Sequence, residues 1–166
     1  MTDPFPATAV EPGWRPLPPR ARSLFRLTDA LLLAIVLGLA GFLLATVMDI
    51  GWTAAAGFAG IVAGLALGLS TGAYRHRRTQ WLLDEDGFAV ARGRWWRRET
   101  RVPVTRVQHV DLKHGPLERR WRLATLVVHT AGSKFGAVSL SGLDADDAEA
   151  LRDRLARQFD IDDDAL

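Results

Sequence analysis

Two apolar segments, separated by a single acidic residue, form the most prominent pattern in this chain. Residues 30–48 and 50–73 contain no ionisable side chain, and Asp49 lies between them. Each segment is long enough to cross a hydrocarbon layer of about 30 Å as an α-helix. Buried helices of a soluble bundle keep a polar stripe, and neither segment has one. The pattern therefore predicts a hairpin of two transmembrane helices over residues 27–74.

After residue 78 the pattern changes to short alternating runs of apolar and polar residues, which are typical of strands. Asp86-Gly87 favours a tight turn between the first two runs. Pro116 suits the first position of a single helical turn that ends at residue 121. Six strands are predicted, over residues 80–84, 88–92, 95–102, 105–113, 123–130 and 135–140.

An amphipathic helix is predicted after the strands, over residues 144–159. Ala148, Leu151 and Leu155 recur at spacings of three and four, which places them on one helix face. Asp144 is suited to cap the start of this helix. The predicted fold class is a membrane α-helical hairpin followed by a mainly β sandwich or open barrel, capped by a C-terminal α-helix.

The amino-acid composition also predicts the boundaries of the segments outside the hairpin. Residues 1–26 are rich in proline and predict a disordered cytoplasmic lead, with no regular element before residue 20. Residues 75–79 are predicted to be a basic linker, residues 80–160 to form one cytoplasmic domain, and residues 161–166 to be an acidic tail. The β-rich part is long enough to bury a core of its own.

Charge predicts the orientation of the hairpin and a basic surface beyond it. Arginines flank the hairpin on both sides, and the turn after Asp49 has none, so both termini are expected in the cytoplasm of a multi-pass inner-membrane protein. Residues 92–134 hold eleven Lys or Arg against three Asp or Glu, and residues 144–164 hold three against nine. A basic surface beside a membrane attracts anionic headgroups. Pairing with the acidic tail, or simple solvation of strand faces, is the alternative.

The sequence lacks the motifs of common enzymes. It has no cysteine, which excludes disulfides, thiolate metal ligands and a cysteine nucleophile. It has no phosphate-binding glycine loop before a helix, no nucleophile elbow and no metalloprotease motif. We therefore expect a protein without enzymatic activity, without a cofactor and without a small-molecule substrate.

Three residues near the middle of the β-rich part raise the question of a metal site. His109 and Asp111 are expected on one face of their strand together with Val107, but His114 is not. No fourth ligand stands out, and zinc sites need three or four. The sequence therefore predicts no metal site.

Tryptophan and arginine cluster at the turn before the third predicted strand, at Arg94, Trp95, Trp96, Arg97 and Arg98. Aromatic stacking with basic charge is how proteins hold single-stranded nucleic acid. Attachment to a membrane by a short basic segment favours lipid headgroups instead, because tryptophan prefers the membrane interface. We expect these five residues to contact headgroups and expect no nucleic-acid partner. The alternative is that one tryptophan lies in the core and the other is incidental.

Glycine recurs every four residues in the second apolar segment, at Gly60, Gly64, Gly68 and Gly72. This spacing keeps the glycines on one narrow helix face, and such faces let helices approach closely in a membrane. The partner is either the first segment, which presents Ala34, Gly38 and Gly41, or a second copy of the chain. A general richness in alanine and glycine is the competing explanation.

The sequence of residues 98–132 is similar to that of a known protein family. Its marks are Pro103 and the sequences RVQHV at 106–110, GPLER at 115–119, LATL at 123–126 and TAG at 130–132. The chain resembles the bacterial pleckstrin-homology-like (PH) domain of small membrane proteins of the YdbS type. It departs from them at Arg122, where glycine is common, and this leaves the turn before the next strand open.

The resemblance implies a PH-like sandwich and no established catalysis. It also implies an anchored protein that often accompanies a larger membrane protein with further PH-like domains. Members of the family have been connected with tolerance of membrane-active antimicrobials, so the resemblance implies a role in antimicrobial tolerance or envelope stress. We therefore expect a non-enzymatic inner-membrane protein whose PH-like domain assembles with a second PH-like membrane protein or with itself. Binding to an anionic lipid surface is the alternative function.

Overall fold

The computed structural model describes residues 13–84, 86–93, 96–131 and 136–163, with the side chains of the final helix described as far as residue 156. The chain divides into two compact units. One unit is the helical segment Arg22–His76, and the other combines the segment up to Ala21 with Arg77–Leu166. The second, β-rich unit is therefore built from both ends of the chain.

Two long helices make up the helical unit. Helix α1 spans Ala21–Val47 and helix α2 spans Thr53–Arg78. In their most apolar windows only 22% and 17% of the residues are buried, whereas the core helix of a soluble protein is mostly buried. Among the described residues, every exposed large hydrophobic side chain except one lies between residues 27 and 69. The outside of the pair thus suits the hydrocarbon of a bilayer.

Both helices extend past the predicted hairpin of residues 27–74. Helix α1 begins just after Pro18-Pro19, where the Ala21 N–H donates to the Pro18 carbonyl. Helix α2 continues through residue 78. Residues 75–78 of the predicted basic linker of residues 75–79 are therefore helical, and only Thr79 lies outside the helix. Arginine is a good helix former and is favoured near a helix C-terminus, so nothing in the sequence ends the helix after Ala73.

The connection between the helices is short, as the sequence predicts. Asp49 adopts a left-handed backbone conformation with φ of 55°, which aspartate tolerates better than most residues do. The Ile50 N–H donates to the Ala45 carbonyl over 2.9 Å. Such bonds satisfy the last carbonyls of a helix at its C-terminus, so the chain can leave α1 and enter α2 within a few residues.

The β-rich unit contains two antiparallel sheets with the strand orders β1-β2-β3-β4 and β5-β6-β7. The strands are β1 (Arg15–Pro16), β2 (Gln80–Asp84), β3 (Gly87–Arg92), β4 (Arg98–Pro103), β5 (Val107–Lys113), β6 (Leu123–Thr130) and β7 (Ala137–Asp144). A 3-10 turn (Val104–Arg106) joins the sheets, helix α3 (Pro116–Arg120) links β5 to β6, and helix α4 (Ala145–Asp163) follows β7.

Apolar side chains from both sheets and from α4 form the core of this unit. Phe88, Leu126 and Leu140 of the sheets are fully buried, and so is Leu155 of α4, while Leu151 of α4 is 2% exposed. Burying one such side chain contributes about 1.5–3 kcal/mol relative to leaving it exposed. The predicted sandwich with a C-terminal helical cap is therefore confirmed.

The N-terminal segment corrects one prediction. The sequence predicts no regular element before residue 20, but Arg15 and Pro16 form strand β1 and pair with Trp81 and Gln80 of β2. Leu17 is buried beside them. Proline is tolerated here because β1 is an edge strand, where its missing N–H breaks no bond inside the sheet. The predicted disordered lead over residues 1–26 is thus wrong for this part.

Strand β5 corrects a second prediction. The sequence places Val107 on the same face as His109, but Val107 is buried and His109 is exposed. The pairing between β5 and β6 shifts register between these two residues. Because a bulge inserts one extra residue, it reverses the face on which the following side chains lie. Val107 therefore enters the core on the side of Val110 and Leu112.

A buried carboxylate holds α3 against β6. Glu118 accepts a hydrogen bond from the Gly115 N–H (2.8 Å) and another from the Thr125 hydroxyl (2.5 Å). Pro116 occupies the first turn of α3, as the sequence predicts. Because Glu118 is buried, these bonds offset the cost of removing its carboxylate from water.

Arg122 adopts a conformation that normally favours glycine. Its φ is 51°, and a residue with a side chain loses about 1–2 kcal/mol in the left-handed region. The Arg122 carbonyl accepts a hydrogen bond from the Ala145 N–H at the start of α4. The turn before β6 therefore keeps the shape that glycine would favour, with arginine in its place.

The last strand and the last helix are both longer than predicted. Strand β7 ends at Asp144, four residues beyond its predicted end, and α4 runs to Asp163. The side chain of Asp144 accepts from the Asp146 N–H, as expected of a residue at a helix start. The predicted boundary at residue 160, with an acidic tail over 161–166, is thus corrected, since the helix continues through residues 161–163, the first half of the tail.

Candidate functional site

The structure exposes one tryptophan at the predicted headgroup contact. Arg94 and Trp95 lie outside the described residues. Trp96 is 88% exposed, and it is the one exposed large hydrophobic side chain that the described residues place in the β-rich unit. The alternative that one tryptophan of the pair lies in the core does not apply to Trp96. A large exposed indole is unusual on a soluble surface and suits a membrane interface.

Arg97 and Arg98 are the two arginines of the predicted headgroup contact that the structure describes, and their surroundings differ. The Arg97 guanidinium lies 5.2 Å from the centre of the Trp14 ring, within the range of a cation–π contact. Arg98 begins β4 and lies directly opposite Arg92 of β3. The predicted cluster is thus divided: Arg97 contacts the N-terminal segment, whereas Arg98 faces a second arginine.

Arg92 and Arg98 line a cleft of about 550 Å³ between the β3-β4 pair and β7. The Arg92 guanidinium donates to the main-chain carbonyl of Ser139 on β7. Like charges placed directly opposite on neighbouring strands repel each other, so an anion beside Arg92 and Arg98 would relieve that repulsion. Glu99 also lines the cleft and supplies one negative charge.

A third arginine of the cleft is already neutralised. Arg101 forms ion pairs with Asp84 (3.0 Å) and Asp86 (3.7 Å). Arg92 and Arg98 are the other two arginines that line the cleft. Sequence reasoning missed Arg92, although pairing of the second predicted strand with the third, across the connection that begins at Gly93, could have found it, since that register places residue 92 opposite residue 98.

The outer face of the second sheet brings together His109, Asp111 and His129. The two imidazole rings are stacked, with their centres 4.1 Å apart, and Asp111 lies beside both. The sequence predicts that His114 does not share the face of His109 and Asp111, and His114 indeed lies elsewhere, with Nδ1 3.4 Å from the Leu123 carbonyl oxygen. His129 was missed because it is twenty residues away from His109 and only the strand register makes it a neighbour.

The predicted glycine face of α2 lies against the backbone of α1. Gly64, Gly68 and Gly72 are buried. A Cβ atom on any of Gly60, Gly64, Gly68 or Gly72 would overlap main-chain atoms of α1. On the other helix, Gly38 and Gly41 lie against Ile61 and Ala56. Of the two predicted partners, the structure shows the first helix in contact; how much stability the contact supplies remains a prediction.

An ion pair lies at the open end of the hairpin. The Arg75 guanidinium on α2 is 2.8 Å from the Asp29 carboxylate on α1, and the Asp29 side chain is only 13% exposed. Arg75 also lies 4.7 Å from the centre of the Phe25 ring. Asp29 is thus paired at the end of the apolar region, as expected for a structural residue.

The apolar helix pair and the two-sheet domain are features of a membrane protein with a β-rich domain, and comparison with known proteins identifies the family. Residues 23–159 match the bacterial PH domain family. The match covers most of the chain, so the chain belongs to that family, and the predicted PH-like fold and family resemblance are confirmed. It is a membrane protein with two apolar helices and a PH domain.

The chain is also similar to a particular curated protein. It is 32% identical over 90 residues to the transmembrane protein YdbS of Bacillus subtilis (strain 168). The match spans 54% of this chain and 55% of that protein, so it extends over about half the length of each. No solved structure matches the chain significantly. The family is not known for enzymatic activity.

Proposed function

We propose that the PH domain of this protein contacts anionic groups at the cytoplasmic membrane surface, through Trp96 and the arginines beside it. The observation that carries the proposal is the 88% exposure of Trp96, next to Arg97 and Arg98. An exposed indole gains by entering a membrane interface. Each basic residue close to an anionic surface adds about 1 kcal/mol.

The orientation of the chain is part of the proposal. Arginines lie at the open end of the hairpin and the turn lacks them, and by the positive-inside rule this distribution favours both ends in the cytoplasm. The PH domain then faces the inner leaflet of the cytoplasmic membrane. Only Thr79 separates α2 from β2, and such a short tether keeps the concentration of the domain near the membrane high.

We expect a fluorophore at position 96 to report an apolar environment in anionic bilayers and a polar one in neutral bilayers. The chain has no cysteine, so Trp96→Cys accepts a single label, which takes the place of the indole. The full-length protein would be placed in nanodiscs of phosphatidylglycerol or of phosphatidylcholine, and the emission maximum measured. Added salt should reverse the blue shift, because exposed charges are screened.

Lys113→Cys is the matched control, since Lys113 is an exposed residue on β5. Its label should show the same emission in both lipids. Adding Arg98→Gln to Trp96→Cys should reduce the blue shift. Equal emission from position 96 in the two lipids would contradict the proposal.

Assembly with a second PH-like membrane protein is the other candidate function. Strands β4 and β7 are both edge strands, and they border the arginine-lined cleft. Edge strands can pair with a segment of another chain, which is a common mode of protein recognition. The partner in this candidate is a membrane protein with its own PH-like domain or a second copy of this chain.

We expect the full-length chain, cross-linked in cells at native expression and purified in mild detergent, to bring down a second membrane protein with a PH-like domain. Mass spectrometry identifies the partner. Arg98→Glu on β4 should reduce the recovery, because it reverses a charge at the cleft, and Lys113→Glu on β5 should not. Recovery of only the single chain after cross-linking would rule out this candidate and leave the lipid proposal standing.

A further inference from the structure

Two neighbouring strands place two imidazoles and one carboxylate on the same exposed patch. His109 and Asp111 are two residues apart on β5, so their side chains lie on one face. His129 on β6 is directly opposite His109 in the ladder, and directly opposite residues also share a face. One ligand atom from each residue lies within 4.8 Å of the others.

The spacing of these atoms suits a small tetrahedral cation. Ligands about 2.0–2.1 Å from zinc in a tetrahedral site are about 3.3 Å apart. The distance from His129 Nε2 to Asp111 Oδ2 is 3.2 Å, and from His109 Nε2 to the same oxygen it is 3.9 Å. His109 and Asp111 are both exposed, so their side chains can close the longer gap by small rotations.

A polar atom without a hydrogen bond supports the same conclusion. Nε2 of His129 is buried and makes no hydrogen bond among the described residues, although Asp111 Oδ2 is close to it. A buried polar atom without a hydrogen bond costs stability. Because Nε2 of a neutral imidazole can offer a lone pair to a metal, coordination would satisfy this atom.

We propose that His109, Asp111 and His129 form a binding site for a divalent transition-metal ion, with Zn²⁺ as the preferred ion. Two imidazoles and one carboxylate are ligands that suit zinc, whereas magnesium and calcium prefer sites of oxygen atoms alone. Three protein ligands leave a fourth position for water or for another oxygen donor. The ion would also join β5 to β6 on the outer face of the second sheet.

The test measures zinc binding to the full-length protein in detergent, purified without a histidine tag and stripped of metal. Zinc is titrated in competition with a chromophoric chelator, and Co²⁺ replaces it in a parallel sample for its visible absorption. We expect one zinc ion per chain, with no competition from Mg²⁺ or Ca²⁺. Asp111→Asn and His129→Ala should each weaken binding by at least about tenfold, since even outer-shell changes cost that much.

His114→Ala is the matched control, because His114 belongs to the same domain but lies outside the cluster. It should bind zinc as the unaltered chain does. Zinc should also raise the melting temperature of the unaltered protein and of His114→Ala, since binding to the folded state alone stabilises it, but not that of His129→Ala. Equal affinity of His129→Ala and the unaltered chain, or no zinc-dependent change in either measurement, would overturn the proposal.

Discussion

Gly64→Leu is expected to separate the two transmembrane helices. A Cβ atom at Gly64 would lie 2.5 Å from the Cα atom of Ala34 on α1, and main chain cannot move aside as a flexible side chain can. Overpacking usually costs about 1–3 kcal/mol, and a clash with main chain should reach or exceed the upper end of that range. The segment stays apolar, so insertion into the membrane should be unaffected.

Cross-linking between the helices measures the effect. The Cβ atom of Phe42 lies 3.3 Å from a Cβ atom built on Gly57, close to the separation in a disulfide. The pair Phe42→Cys and Gly57→Cys should therefore form a disulfide in the otherwise cysteine-free chain, and Gly64→Leu should lower its yield and the thermal stability in detergent. Ala63→Leu, at an exposed neighbouring position, is the control that should change neither. Wild-type behaviour of Gly64→Leu would show that the glycine face does not stabilise the hairpin.

Phe88→Ala is expected to destabilise the PH domain by about 3–5 kcal/mol, the usual cost of removing a large aromatic side chain from a core. Phe88 is 0% exposed and lies on β3 opposite Val102 of β4. Its removal would leave a cavity in the core of this domain, which the surrounding side chains can fill only in part.

Hydrogen exchange followed by mass spectrometry can show whether Phe88→Ala destabilises the β-rich unit, the helical unit or both. Amides of β3 and β6 that exchange by opening of the whole domain should exchange more than about a hundredfold faster, because each 1.4 kcal/mol is a factor of ten. Amides of α1 and α2 should keep their protection. Phe58→Ala removes the same side chain from a site that is 67% exposed on α2, and it should leave β3 unchanged. Unaltered protection of β3 in Phe88→Ala would contradict the assignment of Phe88 to the core.

Local patterns predicted most of the elements. Strand β6 has the predicted bounds of residues 123–130, because its run of β-branched and apolar residues leaves little choice of conformation. The turn at Pro116 is also found where the sequence predicts it, because proline restricts its own backbone whatever surrounds it. The errors concentrate where an element depends on a distant partner. Strand β1 exists because Arg15 and Pro16 meet β2, which no local pattern indicates.

The candidate sites were less predictable than the fold. The sequence identifies Trp96, Arg97 and Arg98 as neighbours on the chain, but it does not reveal that Arg98 faces Arg92 while Arg97 contacts Trp14. It places His109 and Asp111 on one face but does not reveal that His129 joins them there. In both cases the missing information is the register between strands, since a shift of one residue moves each side chain to the opposite face.

The sequence by itself determined the two apolar helices, the mainly β domain with its helical cap, the family, and the glycine spacing of α2. These follow from periodicity, turn residues and hydrophobic length, which act over a few residues. The tertiary structure decided which helix faces the glycines, how the bulge turns Val107 into the core, and which residues meet at the arginine cleft and the histidine cluster. Such contacts join residues far apart in the chain, so they are fixed only when the whole fold selects one packing and one register.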